Sequence, residues 1–302
     1  MNSIDNISYI FSESNVFWLN VAISFIMFGV ALGLTLDDFK RVFKQPKQLI
    51  AGLASQLLFL PLITVVLVYI FKPQPSVALG MILIAVCPGG NISNFMSSMA
   101  HANVALSVSL TLVTSSLAVI FTPLGLTFYG SLYEPSQELL RKISLSVPDV
   151  LATIFFIIVF PMLIGMLVRY FQKGLALKLE KVLKNVSMII FLVIVILAVA
   201  SNFDSFITYI PAVMGLVIIH NFCAFLGGNL IARFFSLDAA SRKTLTIETG
   251  IQNSGLALAL IFTFFNGLGG MTLVAAAWGV WHIIAGLSVA SFLGRNVKKS
   301  IE

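Results

Sequence analysis

The chain has 302 residues, of which 59% are hydrophobic and only 10% charged, with a formal net charge of +6. Soluble domains carry about a quarter of their residues as Asp, Glu, Lys or Arg, so this composition excludes a soluble globular domain, a disordered chain, a collagen-like or coiled-coil rod and a disulfide-rich scaffold. Continuous apolar runs also exclude an outer-membrane barrel, whose strands would alternate polar and apolar residues.

Nine apolar stretches reach membrane-spanning length, about 20 residues for a helix. In chain order they are Val16–Leu34, Leu49–Phe71, Val77–Ala100, Val104–Tyr129, Val147–Tyr170, Val186–Ser201, Ile207–Phe235, Ala239–Phe265 and Met271–Leu293. The connections are short, so residues 1–302 read as one all-α polytopic membrane domain of nine transmembrane helices. Within the longest connection, Gly130–Ser146, the segment Glu134–Ser146 reads as a short interfacial helix. Pro61, Pro123, Pro161 and Pro211 read as ordinary helix kinks.

The basic residues sort by side. Lys40, Arg41, Lys44 and Lys47, then Arg169, Lys173, Lys178, Lys181 and Lys184, then Arg233, Arg242 and Lys243, and finally Arg295, Lys298 and Lys299 share one face of the membrane. Only Lys72, Arg141 and Lys142 fall on the other. The positive-inside rule then places the C-terminus in the cytoplasm and the N-terminus outside, as expected of a multi-pass cell (inner) membrane protein. The +6 charge therefore reports orientation in a lipid bilayer, with no nucleic-acid partner implied. Charges before Val16 are Asp5 and Glu13, so the first span lacks the positive flank of a cleaved signal peptide and is expected to be retained. Cys87 and Cys223 fall inside spans as packing residues.

Eleven of the twelve acidic residues lie in loops, tails or the end turn of a span, and Glu248 alone lies deep within one. An ionisable group at that depth is costly and faces a cavity, a partner or an ion. With no Lys or Arg at the same depth, its compensation is a proton, a bound cation, or both at different times. Around it, Thr246-Ile247-Glu248-Thr249-Gly250-Ile251-Gln252-Asn253-Ser254-Gly255 interrupts the apolar run with oxygen-bearing side chains and glycines. A second interruption, Cys87-Pro88-Gly89-Gly90-Asn91-Ile92-Ser93-Asn94, lies in the third span, where proline removes a donor and the glycines permit unwinding. Two broken helices in spans of opposite direction are the mark of inverted-topology repeats. Pairing spans one to four with six to nine gives a first repeat at about 16–130, lacking its opening helix, and a second at about 147–293. Gly33–Phe39 (GLTLDDF) and Ala200–Phe206 (ASNFDSF) echo one another in this pairing.

At these residues the chain resembles the bile acid:sodium symporter family. The resemblance covers nearly the whole chain and is strongest at Cys87–Asn94, at Asn103-Val104-Ala105-Leu106-Ser107-Val108, at Glu248–Gly255 and at Trp281-His282. It implies a core domain with two crossing broken helices packed on a panel domain, in the nine-span form. It also implies two Na+ sites, the first from Ser93, Asn94, Ser107, Thr111 and Glu248. The second would use Gln56, Glu248, Thr249, Ile251 and Gln252, with Thr249 and Ile251 acting through their carbonyls. Contacts to a small organic anion would fall on Asn91, Asn253 and His282. Two residues depart from the family pattern: Asn91 where Thr often follows the glycines, and Ile283 where Asn is common.

The function expected is sodium-coupled import of an organic anion, bile-acid-like or a smaller carboxylate, by alternating access. The alternative is proton-coupled or export-type transport of an organic anion or metalloid on the same fold. A passive channel and an intramembrane hydrolase using Ser254 or Cys87 stand behind these, and no enzyme activity is expected.

Overall fold

The computed structural model describes residues 4–6, 13–33, 46–143, 147–200 and 203–298. Among the described residues every regular element is helical. A chain whose backbone must satisfy its own hydrogen bonds in lipid has few other choices. After a short turn at Ile4–Asn6 come α1 (Glu13–Ala31), α2 (Pro46–Phe71), α3 (Pro75–Val86), α4 (Ile92–Met99), α5 (Val104–Ser131), α6 (Glu134–Ile143) and α7 (147–171). They are followed by α8 (Lys173–Ala200), α9 (Phe203–Phe234), α10 (Ala239–Gly250), α11 (Ser254–Phe264) and α12 (Gly269–Lys298).

The helix ends follow from local sequence. Prolines open α2 and α3, where a missing N–H costs nothing. Asn103, Asp238 and Asn253 cap α5, α10 and α11, each side-chain oxygen accepting the N–H three residues on at 3.0 Å. Lys72 closes α2 in a left-handed conformation with Pro73 after it. The interfacial helix expected after Glu134 is α6.

Among the described residues five helices are long and apolar enough to cross a membrane: Pro46–Phe71, Val104–Ser131, Pro148–Phe171, Ile207–Phe234 and Gly269–Arg295. Shorter apolar helices cover Val16–Gly29, Pro75–Val86 and Ser254–Phe264. The third and eighth expected spans are each cut in two, so neither half reaches full length. In α8 most side chains beyond Leu183 lie outside the described set. So do most of the Gly33–Phe39 echo, Lys40, Arg41, Lys44, Ser201, Asn202 and Lys299.

Two of the expected simple kinks are something else. Pro61 and Pro161 each follow a widened π-type turn, Ala54–Phe59 in α2 and Phe155–Val159 in α7. Proline offers no N–H to the carbonyl four residues back and pushes it aside, which a widened turn accommodates. In α2 that carbonyl, on Leu57, is reached by the Tyr129 hydroxyl at 3.4 Å. Pro123 and Pro211 sit inside continuous helices.

The main core is built from α3, α11 and α12. Residues 76–86 of α3 and 254–262 of α11 are buried throughout, with Met271, Val274 and Trp278 of α12 against them. Gly80 allows α3 and α12 to touch, since a Cβ there would lie 2.8 Å from the Met271 backbone. By contrast α2, α7 and α9 carry exposed apolar stripes at helical spacing, Leu58–Leu62–Val66, Phe156–Phe160–Leu163–Leu167 and Phe222–Leu226–Leu230. Such faces suit lipid. The molecule is therefore a multi-pass membrane protein with its two interrupted helices enclosed by others.

Candidate functional site

The site begins where two helices stop. The residue before a proline is driven out of the α region, and Cys87 before Pro88 is extended at φ −70, ψ 154, which ends α3. After Gly250 the chain turns extended at Ile251, φ −115, ψ 101, which ends α10. The two extended pieces pair with each other. Gly89 and Gln252 form an antiparallel bridge, the Gly90 N–H donates to the Ile251 carbonyl at 2.8 Å, and the Asn253 N–H donates to the Pro88 carbonyl at 2.9 Å. Each break thus satisfies the other's backbone. Gly90 makes the approach possible, because a Cβ there would stand 3.0 Å from the Gln252 carbonyl oxygen. The carboxyl ends of α3 and α10 and the amino ends of α4 and α11 meet at this point, giving carbonyls for a cation and amide dipoles for an anion.

Glu248, in the last turn of α10, is fully buried here. Its Oε1 accepts from the hydroxyls of Ser93 on α4 and Ser107 on α5. Thr111, one turn beyond Ser107, lies 3.2 Å from Oε2 and 3.4 Å from Oε1. The Ser107 hydroxyl is also 2.9 Å from Asn94 Oδ1. The five residues of the first expected site are therefore contiguous. One hydroxyl proton cannot fully serve both the Asn94 and Glu248 oxygens, so one of those two oxygens goes without the Ser107 proton.

On the other side of the carboxylate, a Cβ on Gly89 would stand 3.0 Å from Glu248 Oε2 and 3.3 Å from Gln56 Oε1. The widened turn of α2 brings Gln56 and Ser55 inward, both buried. Among the described residues Gln56 Oε1 and Gln252 Oε1 have no donor, and the Gln56 amide stands against the Glu248 carboxylate. Gln252 Nε2 donates to the Thr249 carbonyl at 2.9 Å, while the Ser55 and Thr249 hydroxyls bond each other. Gln56 thus stands beside the Glu248 carboxylate, with Thr249, Ile251 and Gln252 on the segment of chain that follows it. Buried acceptors without donors are costly unless a cation meets them. Among the described residues, Lys243 on the same helix is turned to the Ala100 carbonyl at 2.9 Å, and no cluster of three His, Cys, Asp or Glu exists. The donor set is hard oxygen alone, which suits sodium rather than a soft transition metal.

Thr114 escaped the sequence reading. Its hydroxyl donates to the Leu110 carbonyl at 2.8 Å and receives the Gly89 N–H at 3.4 Å. The signal was available, since Ser107, Thr111 and Thr114 repeat at i, i+4 and i+7 on α5.

The expected anion contacts are not brought together as one group. Asn91 lines a small cavity of about 10 Å³ with Asn94, Thr111 and Ser115, bounded by Met27, Val108, Leu112 and Met162. Asn253 uses its Oδ1 to cap α11. His282 is buried in α12 with Nδ1 donating to the Trp278 carbonyl, and among the described residues no hydrogen bond joins it to either Asn. His220 packs edge-on against Trp278 at 4.8 Å. Its Nε2 donates to Thr64 Oγ1 at 2.6 Å, because the single Thr64 proton goes to the Leu60 carbonyl at 2.7 Å. Among the described residues neither histidine is bonded to Ser254 or Cys87.

Residues 20–226 match the model of the Sodium Bile acid symporter family. The chain is 32% identical over 282 residues, 93% of its length and 84% of the relative's, to the uncharacterized sodium-dependent transporter YocS of Bacillus subtilis. It is 29% identical over 286 residues, 94% of its length and 69% of the relative's, to the probable sodium/metabolite cotransporter BASS1, chloroplastic, of Arabidopsis thaliana.

Proposed function

The chain belongs to the sodium bile acid symporter family, a family of sodium-dependent transporters and not of enzymes, and we propose that it is a symporter coupling inward movement of two Na+ to import of an organic anion. The observation that carries this reading is the oxygen-rich cluster around Glu248, with Gln56 Oε1 and Gln252 Oε1 buried and, among the described residues, unpartnered. Ser93, Asn94, Ser107, Thr111 and Glu248 would hold one ion. Gln56, Glu248, Gln252 and the carbonyls of Thr249 and Ile251 would hold the other.

Two sodium ions on one carboxylate leave a local excess of about +1, which together with the amino ends of α4 and α11 favours a carboxylate or sulfonate. Asn91 and Asn253 stand at those two amino ends and would receive the anion, with His282 reaching it as the helices rearrange. Ion binding gives the broken segments their missing partners and so orders the crevice for the anion. Alternating access then follows from rocking of a core, containing the crossed helices, against a panel. Nine spans in two inverted repeats, with the C-terminus cytoplasmic, complete the proposed arrangement; the paired breaks of α3/α4 and α10/α11 support it.

Coupling to a proton alone accounts less well for the cluster. Protonating Glu248 would add a single donor, which cannot serve both the Gln56 and Gln252 amide oxygens. Uptake of a labelled organic anion into vesicles tests the proposal: it should stop when choline replaces sodium, and flux unchanged by that replacement would refute it.

A further inference from the structure

Asn221 is a fully buried amide in the middle of α9, and none of the proposed ion or anion contacts uses it. Its Nδ2 donates to the Gly250 carbonyl at 2.7 Å. That carbonyl belongs to the last turn of α10, where helix geometry leaves acceptors without intrahelical donors. The neighbouring turns of α9 hold the same place. Phe225 covers the Gly250 face, where a Cβ would fall 2.7 Å from the ring Cγ. Gly228 lets α9 approach so closely that its own Cβ would lie 2.8 Å from Thr249 Oγ1. Asn221, Phe225 and Gly228, at i, i+4 and i+7, therefore run along the end of α10.

Gly250 lies between Thr249 and Ile251, whose carbonyls are assigned to the second sodium. Peptide units are rigid planes, so anchoring the Gly250 carbonyl fixes the rotation of the unit joining Gly250 to Ile251. It thereby limits where the carbonyls on either side can point. A glycine offers this backbone no side-chain restraint of its own, which makes an external anchor effective.

We propose that Asn221 is a positioning residue of the second sodium site, holding the unwound end of α10 with its ligand carbonyls turned to the ion. This rests on the sodium-symporter reading above. The test measures sodium half-saturation in purified full-length protein by thermal stabilisation, and anion uptake at saturating sodium in vesicles. Asn221→Ala, and the isosteric Asn221→Asp that lacks the donor, should raise half-saturation about tenfold, as for a lost buried hydrogen bond. Uptake at saturating sodium and the anion KM there should stay near wild type. Phe225→Leu, which loosens packing but keeps the amide, should lower the melting temperature without moving half-saturation. Unchanged half-saturation in both Asn221 variants, or an equal shift in Phe225→Leu, would overturn the inference while a normal wild-type sodium response leaves the symporter reading standing. A wild-type protein without any sodium response would overturn both.

Discussion

Glu248→Gln separates the charge of the carboxylate from its shape. The amide keeps an oxygen for the hydroxyls of Ser93, Ser107 and Thr111, which bond the carboxylate now, but removes the unit charge. At an effective dielectric of about 20, one charge about 4 Å from another contributes about 4 kcal/mol, or about a thousandfold in affinity. Sodium at one hundred times its Kd stabilises the wild type by about 2.7 kcal/mol through linkage. A Kd about a thousandfold weaker places the variant at about one-tenth of its own Kd, where the same relation gives less than about 0.1 kcal/mol. In sodium-free buffer the sign reverses, because a buried charge facing no cation costs desolvation that the amide does not. Thermal unfolding in detergent, titrated with sodium against choline at constant ionic strength, reads both effects. The variant should melt at or above the wild type without sodium and gain nothing with it. A Glu248→Gln protein that keeps the wild-type sodium increment would refute the reasoning, whatever its basal stability.

Other consequences follow from the same geometry. Gly89→Ala would push a methyl to 3.0 Å from Glu248 Oε2 and 3.3 Å from Gln56 Oε1; it should cost about 1–3 kcal/mol as overpacking does and weaken sodium binding in the same titration. Asn103→Ala and Asn253→Ala each remove an equivalent helix cap, worth about 1 kcal/mol, so both should destabilise alike. Only Asn253→Ala should also raise the anion KM. Thr64→Val leaves His220 Nε2 without its acceptor at a cost of about 1–3 kcal/mol, and sodium half-saturation should not move.

Much of this was legible in sequence because membrane insertion makes local composition informative. Pro88 with two glycines, and Gly250 followed by polar residues, marked both breaks to within a residue or two of where α3 and α10 end. Glu248 stood out because charge is scarce inside spans. The family resemblance then named partners, of which Ser93, Ser107 and Thr111 bond it directly. What local pattern could not supply is contact at long range. Ser55 meets Thr249 across 194 positions, and Asn221 meets Gly250 only because two glycines let α9 lie against α10. The widened turn that carries Gln56 inward was hidden behind Pro61, which by itself signals only a kink. Thr114 was hidden differently, as an unremarked third turn of a polar stripe. The count of nine spans was reached from apolar length, while five full-length apolar helices stand among the described residues; two of the other four spans are the broken ones, which have no single long helix to show, and the remaining two fall on α1 and α8.

The most direct measurement is concentrative uptake of an organic anion into vesicles containing the purified protein, driven by an imposed inward sodium gradient. Accumulation above the external concentration should appear with the gradient, collapse when sodium is equal on both sides, and vanish in Glu248→Gln. Accumulation that persists without a sodium gradient, or that Glu248→Gln leaves intact, would contradict sodium coupling through this site.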